Sequence, residues 1–363
     1  MRELQDDQDV AVFPDDSRHP YYIVAPPYTR FSAGVKSLHL LCHNLNRCGY
    51  QAFMVIDPDL PEGVPALSPS LTTPRLTQDL ADAHLSAGRQ PIVVYPEVIP
   101  GNPMNASVVV RYVLNFPGLL GGDKTYAPDE IVFGYSAVLA EAAGYPENVL
   151  FIPTSNSRIF HPPETERARS GTCFYAKKYQ LLHPGSLLPQ TRASLEITKE
   201  QSPEEMAEIF SRCELIYCYE NTAVALEAAL CGCPAVFLPN EHLTDIIGAK
   251  ELGADGFAWG DAPGEIERAK ATVGRVAENY RSSEKLFWKH LENFISKTQK
   301  VASECAPVNS IILPSIKKSK YRIFFETVNS KIRSQLWKNR GYFFSKIFKI
   351  IKSDGVLGLI RRI

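Results

Sequence analysis

The segment from Glu214 to Asn240, ELIYCYENTAVALEAALCGCPAVFLPN, constrains the fold of this chain more than any other. It predicts a short strand rich in Ile and Tyr, a helix of strong helix formers and a second buried strand, CPAVFLP. Asn221 or Thr222 can cap this helix, and Gly232 followed by Pro234 ends it. Such a βαβ unit places a helix N-terminus at the carboxyl edge of a parallel sheet, where α/β proteins bind phosphate. Many such units bind nothing, so the pattern alone favours a structural interpretation.

The order of residues in this unit resembles the nucleotide-sugar site of GT-B glycosyltransferases. A Glu ends the strand and a Thr opens the helix, and LEA and CGCP follow. In that family a Glu…LEAxxxGxPV segment holds the ribose and diphosphate of the donor. The resemblance implies that Glu227, Glu220, Asn221 and Thr222 bind the donor. The two glutamates are seven positions apart, one fewer than in the retaining branch of the family, so Glu220 is out of register.

Two further segments resemble the same family. NVLFIPTSNSRIFHPP, at 148–163, is similar to the interdomain linker, although Asn156 or Ser157 stands where the family has Asp. GTCFYAKKY, at 171–179, is similar to the first strand of the C-terminal domain and its basic end. The resemblance implies that Lys177 and Lys178 neutralise the donor phosphates.

The first half of the chain shows its own α/β pattern. YYIVAPP at 21–27 predicts a strand, and a helix is expected from about 34 to 48. The loop between them resembles the donor-facing loop of GT-B enzymes, in which Ser32 and Gly34 would let the backbone approach the diphosphate or the acceptor. An ordinary βα turn explains the same residues equally well. His39 and His43 are four apart on the helix, but without a third ligand nearby they predict packed or solvent-facing side chains.

The segment at 91–118, PIVVYPEVIPGNPMNASVVVRYVLNFPG, predicts a strand, a Gly-Asn-Pro turn and a helical or mixed stretch. It resembles a segment of bacterial transferases that build cell-surface polysaccharides. Glu97 and Asn102 follow the carboxyl end of the strand and are the candidate catalytic residues, with the carboxylate accepting a proton from an acceptor hydroxyl. The alternative is a loop carboxylate that caps a turn.

Length and composition fit two α/β domains with an appendage. The chain has 363 residues, 45% hydrophobic and 22% charged, as in an ordinary globular protein. We expect a mobile start at 1–20, an acceptor-side Rossmann-like domain at 21–150 and a nucleotide-sugar-binding Rossmann-like domain at 151–275. Helices at 276–305 would cross back to the first domain, and a basic amphipathic helical tail would occupy 306–363.

The expected compartment is a reducing cytoplasm. No apolar run is long enough to span a bilayer, and the acidic start MRELQDDQD does not resemble a signal peptide. The eight cysteines show no disulfide spacing, and Cys231 and Cys233 are expected to be packed thiols rather than metal ligands.

The tail carries most of the positive charge. Residues 306–363 contain thirteen Lys and Arg and two acids, so the tail has a net charge of +11 and the remaining chain −12. Apolar and aromatic residues recur among the bases at helical spacing, which predicts an apolar stripe beside a cationic face. We expect residues 317–363 to bind an anionic membrane surface, with a terminal helix packed on the acidic body as the alternative. No nucleic-acid motif accompanies the charge.

The resemblance implies a glycosyltransferase of bacterial surface polysaccharide synthesis, of O-antigen or capsule type, lying peripherally on the inner face of the cytoplasmic membrane. It would move a sugar from a nucleoside diphosphate sugar to a glycan acceptor, lipid-linked in the favoured interpretation. Neither a metal nor another cofactor is expected, because basic side chains and a helix dipole can hold the leaving diphosphate. A catalytically inactive GT-B scaffold subunit and a sugar-nucleotide epimerase are the alternatives.

Overall fold

The fold consists of two five-stranded parallel sheets with flanking helices, in a computed structural model that describes residues 18–56 and 66–313 except 31, 166, 184, 199, 307 and 309. The first sheet has β1 (Tyr21–Val24), β2 (Ala52–Val55), β3 (Ile92–Pro96), β4 (Val108–Val113) and β5 (Ile131–Gly134), with helices α1 (Ala33–Arg47), α2 (Gln78–Ser86) and α3 (Ala137–Ala142). The second has β6 (Thr172–Tyr175), β7 (Leu195–Glu196), β8 (Leu215–Cys218), β9 (Ala235–Phe237) and β10 (Phe257–Trp259). Its helices are α4 (Lys177–Leu182), α5 (Pro203–Arg212), α6 (Ala223–Leu230), α7 (Ala249–Leu252) and α8 (Pro263–Thr272), and the long α9 (Val276–Glu304) follows.

The strand orders are β2-β1-β3-β4-β5 and β10-β9-β8-β6-β7, and neighbouring strands pair in parallel throughout. The direction of winding reverses between β1 and β3 in the first sheet and between β6 and β8 in the second. Loops at such switch points open a crevice at the carboxyl edge of the sheet. The two-domain part of the predicted fold class is therefore confirmed: the chain has two doubly wound, Rossmann-like domains, the GT-B arrangement.

Helix α1 covers the first sheet through the apolar face expected from the sequence. Leu38, Leu41, Cys42 and Leu45 are buried in one cluster with β1, β3 and β4. The interval of three to four residues between them puts all four on one side of the helix.

The stretch after the Gly-Asn-Pro turn differs from the helical or mixed segment that the sequence predicted. It forms β4, a strand between β3 and β5 in which all six residues are buried. A strand covered on both faces has no polar alternation, so periodicity alone cannot distinguish it from a buried helix. Arg111 lies within it and is neutralised by Glu130, with Nη2 2.6 Å from Oε1.

Helix α9 joins the cores of both halves. Its first turns place Val276 and Tyr280 in the core of the second sheet, and later turns place Phe287 and Phe294 in the core of the first. The Tyr280 hydroxyl donates to the backbone oxygen of Ser155 at 2.7 Å and accepts from its N–H at 3.0 Å. With 29 residues, the helix is about 44 Å long, enough to cross both domains.

Two predictions concern residues outside the described part of the chain: most of the mobile start at 1–20, and the basic helical tail from 314 onward. Among the helices that the structure describes, none has the length and apolar character needed to cross a membrane. All eight cysteines are free thiols, and Cys231 and Cys233 are buried, as expected.

Candidate functional site

Glu97 directly follows β3 at the switch point of the first sheet. Its side chain is 4% exposed, and Oε2 accepts a hydrogen bond from the Leu114 N–H at 2.9 Å. Burial raises the pKa of this carboxyl to about 7, against an ordinary value of 4.5, and the Leu114 N–H and the Lys178 ammonium oppose the rise. A carboxyl with a pKa near neutrality can both lose and accept a proton at physiological pH, as a general base must.

The loop from 115 to 126 covers Glu97. Gly122 has φ of +77°, and a Cβ there would lie 1.9 Å from the Glu97 carbonyl oxygen, so only glycine fits. Tyr126, at the end of the loop, interacts electrostatically with Glu97 and Arg111. Its buried hydroxyl has no hydrogen-bond partner among the described residues and is free to bind a polar group that enters beside Glu97.

Lys177 and Lys178 begin α4, directly after β6 at the switch point of the second sheet. Both side chains are exposed. The charge of Lys178 acts on Glu97 from the first domain and on Glu220 from its own domain. The structure therefore places Lys178 between the carboxyl edges of the two sheets, where it could neutralise an anion.

Glu220 follows β8 and caps α4. Its Oε2 accepts hydrogen bonds from the N–H groups of Lys178 at 2.7 Å and Tyr179 at 3.2 Å, while the N-cap residue Ala176 offers no side-chain acceptor. Burial raises the pKa of the Glu220 carboxyl, and Lys178 opposes the rise. Two backbone donors in the first turn of α4 are thus already bound by a carboxylate of the protein.

Glu227, on α6, forms an ion pair with Lys36 on α1, and so joins the two domains. Lys36 Nζ lies 3.5 Å from Glu227 Oε1 and 3.1 Å from the Thr154 carbonyl oxygen, and both side chains of the pair are 9% exposed. Burial raises the pKa of the Glu227 carboxyl, and the charges of Lys36 and Arg30 oppose this. Lys36 occupies one oxygen of Glu227, so a ribose that bound this oxygen would displace or share Lys36.

Asn221 and Thr222, the other two predicted donor residues near Glu220, form local structural hydrogen bonds. Thr222 is the N-cap of α6 and accepts from the Val224 N–H at 3.2 Å. Asn221 donates to the Asp245 carbonyl at 2.9 Å and accepts from the Ile247 N–H at 3.0 Å. These contacts shape the loops after β8 and β9, and the predicted donor binding by both residues stays a prediction.

Ser32 ends the loop that follows β1, and Gly34 lies in the first turn of α1. Ser32 is the N-cap of α1 and accepts from the Val35 N–H at 3.4 Å. A Cβ on Gly34 would meet only Leu114, at 3.5 Å, which is an ordinary contact. The local geometry of both residues is that of a normal βα turn, and their predicted approach to the diphosphate stays a prediction.

Asn102 forms hydrogen bonds that stabilise the turn in which it lies. Its Oδ1 accepts from the Tyr95 hydroxyl at 3.1 Å and the Ala106 N–H at 3.0 Å, and its Nδ2 donates to the Ala106 carbonyl at 2.7 Å. Since both ends of the amide are engaged within the loop, this arrangement favours turn capping over the predicted catalytic role.

The crevice also contains residues that were not predicted from the sequence to belong to the site. Lys36 is the most informative, because a lysine in the first turn of a helix lies at the unfavourable end of the dipole and needs a partner elsewhere. The position of Lys36 in the helix could therefore have identified it from the sequence. No sequence feature identified Tyr126, because its approach to Glu97 depends on the path of the loop through Gly122.

Within the described residues, Glu97, Glu220 and Glu227 do not combine with His or Cys into a metal-binding group. A group with metal-ligand spacing lies beside α4, at His183, Glu241 and His242. No other cofactor is indicated by the residues around Glu97.

No protein-family model matches the sequence, and no curated protein matches it significantly. Several solved structures share its general layout. They include a variant O-GlcNAc transferase of Thermobaculum terrenum, with 14% identity and a TM-score of 0.44 over 82% of this chain and 71% of that one. WaaG, a glycosyltransferase involved in lipopolysaccharide biosynthesis, has 11% identity and a TM-score of 0.43 over 77% and 99%. The calicheamicin glycosyltransferase CalG4 has 14% identity and a TM-score of 0.38 over 79% and 99%.

Proposed function

We propose that the chain is a GT-B glycosyltransferase that moves a sugar from a nucleoside diphosphate donor to a glycan acceptor. One observation carries this proposal: Glu97, a buried carboxyl with a pKa of about 7, faces Lys178 across the carboxyl edges of two doubly wound sheets. A base and a cation in this relation suit the attack of a hydroxyl on a carbon that bears an anionic leaving group.

In the proposed reaction, the Glu97 carboxylate takes the proton of the acceptor hydroxyl as its oxygen bonds to the anomeric carbon. The bond from that carbon to the diphosphate oxygen breaks, and the nucleoside diphosphate leaves. Lys178, with Lys177 beside it, offsets the charge that develops on this leaving group. The chain thereby supplies both proton acceptance and charge stabilisation without a metal ion.

We further propose a lipid-linked acceptor in bacterial surface polysaccharide synthesis, with the enzyme on the inner face of the cytoplasmic membrane. The basic, apolar-striped sequence at 317–363 supports this placement. Leu119 and Leu120 support the acceptor class, because both are 44% exposed in the loop whose Gly122 packs against the Glu97 backbone. An apolar pair at this position could contact a lipid or its membrane.

A catalytically inactive scaffold is the second candidate. It is favoured by the engagement of both predicted donor glutamates, Glu220 on the N-terminus of α4 and Glu227 on Lys36. If these contacts persist in the presence of donor, the nucleotide site stays closed.

A screen of nucleoside diphosphate sugars tests the proposal. A donor at 100 times its dissociation constant should raise the free energy of unfolding by about 2.7 kcal/mol. The stabilising donor is then incubated with acceptor glycans, and released nucleoside diphosphate and glycosylated product are measured. Stabilisation without transfer to any acceptor supports the scaffold, and conversion of the donor sugar without an acceptor supports an epimerase. Absence of binding by every donor contradicts the proposed function.

A further inference from the structure

Three potential metal ligands meet on the carboxyl side of the second sheet. His183 follows α4, and Glu241 and His242 lie in the turn after β9. Glu241 Oε1 is 3.0 Å from His183 Nε2 and 3.4 Å from His242 Nε2. The ligand atoms of the three residues all lie within 4.8 Å of one another.

The contact between His183 and Glu241 is too poorly aligned to be a hydrogen bond. Although the two atoms are 3.0 Å apart, His183 Nε2 is shielded from solvent and has no hydrogen-bond partner in the described part of the chain. A shielded polar atom without a partner costs free energy, so its proximity to a carboxylate needs another explanation. A cation bound by both atoms would satisfy the nitrogen and the oxygen together.

The spacing suits a small tetrahedral ion. Ligand atoms at 2.0–2.1 Å from a tetrahedral Zn²⁺ are about 3.3 Å apart, and the two measured separations lie on either side of this distance. Two imidazoles and one carboxylate also favour Zn²⁺ or a similar transition metal over Mg²⁺ or Ca²⁺, which prefer oxygen.

The surrounding residues hold the ligands in position. The His183 ring packs on Tyr179 with centroids 4.7 Å apart, and Tyr179 packs on Tyr219 at 4.8 Å. On the other side, Asn240 Oδ1 accepts from the His242 N–H at 3.0 Å, and Asn240 Nδ2 donates to the Tyr219 carbonyl at 2.9 Å. His183, through Tyr179, and His242, through Asn240, are therefore both linked to Tyr219, which directly follows β8.

We propose that His183, Glu241 and His242 form a binding site for a divalent transition metal, with Zn²⁺ as the best fit and water in the remaining position. The metal joins the end of α4 to the turn after β9. Since Lys178 is five residues before His183, roughly 8 Å along the helix, the metal steadies the helix that carries the two crevice lysines. The site takes no part in the transfer chemistry proposed above and does not depend on it.

The test measures metal binding and stability rather than turnover. Purified full-length protein is stripped with chelator and titrated with Zn²⁺ by calorimetry, and Tm is recorded with and without the ion. We expect one bound equivalent and a higher Tm. His183→Ala and His242→Ala should each weaken binding at least tenfold, as a rough lower bound for a lost ligand, and should abolish the rise in Tm. His161→Ala is the matched control, because His161 is exposed in the same domain and its Nδ1 lies within hydrogen-bond distance of the Pro162 carbonyl rather than of a carboxylate.

Co²⁺ substitution identifies the ligands. A Co²⁺ spectrum without a sulfur-to-metal charge-transfer band supports nitrogen and oxygen ligation and excludes binding by the buried thiols. The proposal is overturned if neither Zn²⁺ nor Co²⁺ binds the unaltered protein. It is also overturned if His183→Ala and His242→Ala, when folded, bind Zn²⁺ as tightly as the control, or if the Co²⁺ spectrum shows sulfur ligation.

Discussion

Replacing Glu97 by Gln should make the protein more stable and less active at the same time. The amide has the shape of the carboxyl and keeps an oxygen for the Leu114 N–H, which now donates at 2.9 Å. It has no charge to bury. The substitution therefore isolates the cost of holding an ionised carboxylate in this crevice.

The expected magnitude follows from the raised pKa. The folded protein keeps the Glu97 proton up to a pH of about 7, whereas the unfolded chain loses it near the ordinary value of 4.5. Between these two values the folded state binds more protons, so the free energy of unfolding falls as pH rises. At about 1.4 kcal/mol per pKa unit, Glu97 should destabilise the protein by about 3 kcal/mol at pH 8 and by almost nothing at pH 4.

Urea unfolding of both proteins at pH 4, 6 and 8 measures this effect. The Gln variant should match the unaltered protein at the lowest pH and exceed its stability increasingly toward pH 8. Its turnover should fall by at least about 100-fold, since an amide cannot act as a base. Parallel stability profiles would refute the raised pKa, and unchanged turnover would refute the catalytic role.

The pH dependence of the reaction provides a second measurement on the same carboxyl. Turnover should rise with pH through about 7 as Glu97 ionises. Lys178→Ala removes a charge that lowers the Glu97 pKa, so the rise should move to higher pH. Lys177→Ala is the matched control, and an equal displacement in both variants would contradict a specific action of Lys178.

Three further predictions concern the donor site, metal dependence and the tail. Glu227→Ala should weaken donor binding and lower the free energy of unfolding by about 3 kcal/mol, because Lys36 is left buried without its partner. A double variant with Lys36→Met and Glu227→Leu should regain stability but not donor affinity. An unchanged dissociation constant for the donor in either variant would exclude Glu227 from the site. Turnover should survive excess EDTA, even where Tm falls, whereas loss of turnover restored by Mg²⁺ or Mn²⁺ would contradict metal-independent transfer. Deletion from Lys317 onward should leave a folded protein that binds donor, because the shortened chain retains the buried Ile311. The deletion should also abolish salt-sensitive binding to anionic vesicles. An unfolded product would show that the tail belongs to the core.

The sequence by itself determined the two-sheet fold class. Apolar runs bounded by Gly and Pro mark the strands, and the three-to-four spacing from Leu38 to Leu45 marks the face that α1 buries. These signals are local, because the period of the backbone fixes which side chains share a face. The sequence also directed attention to Glu97, which follows the end of a strand. Where local signals are ambiguous, as in the doubly buried β4, the prediction was wrong.

Only the tertiary structure decided which partners the predicted donor glutamates and the clustered histidines contact. Glu220 and Glu227 are both predicted donor residues, yet one caps α4 and the other pairs with Lys36 in the opposite domain. The same holds for His183, which meets the neighbouring residues Glu241 and His242 from a distant part of the chain. For these side chains, the partner, the burial and the pKa depend on residues far away along the chain, which a local pattern does not identify.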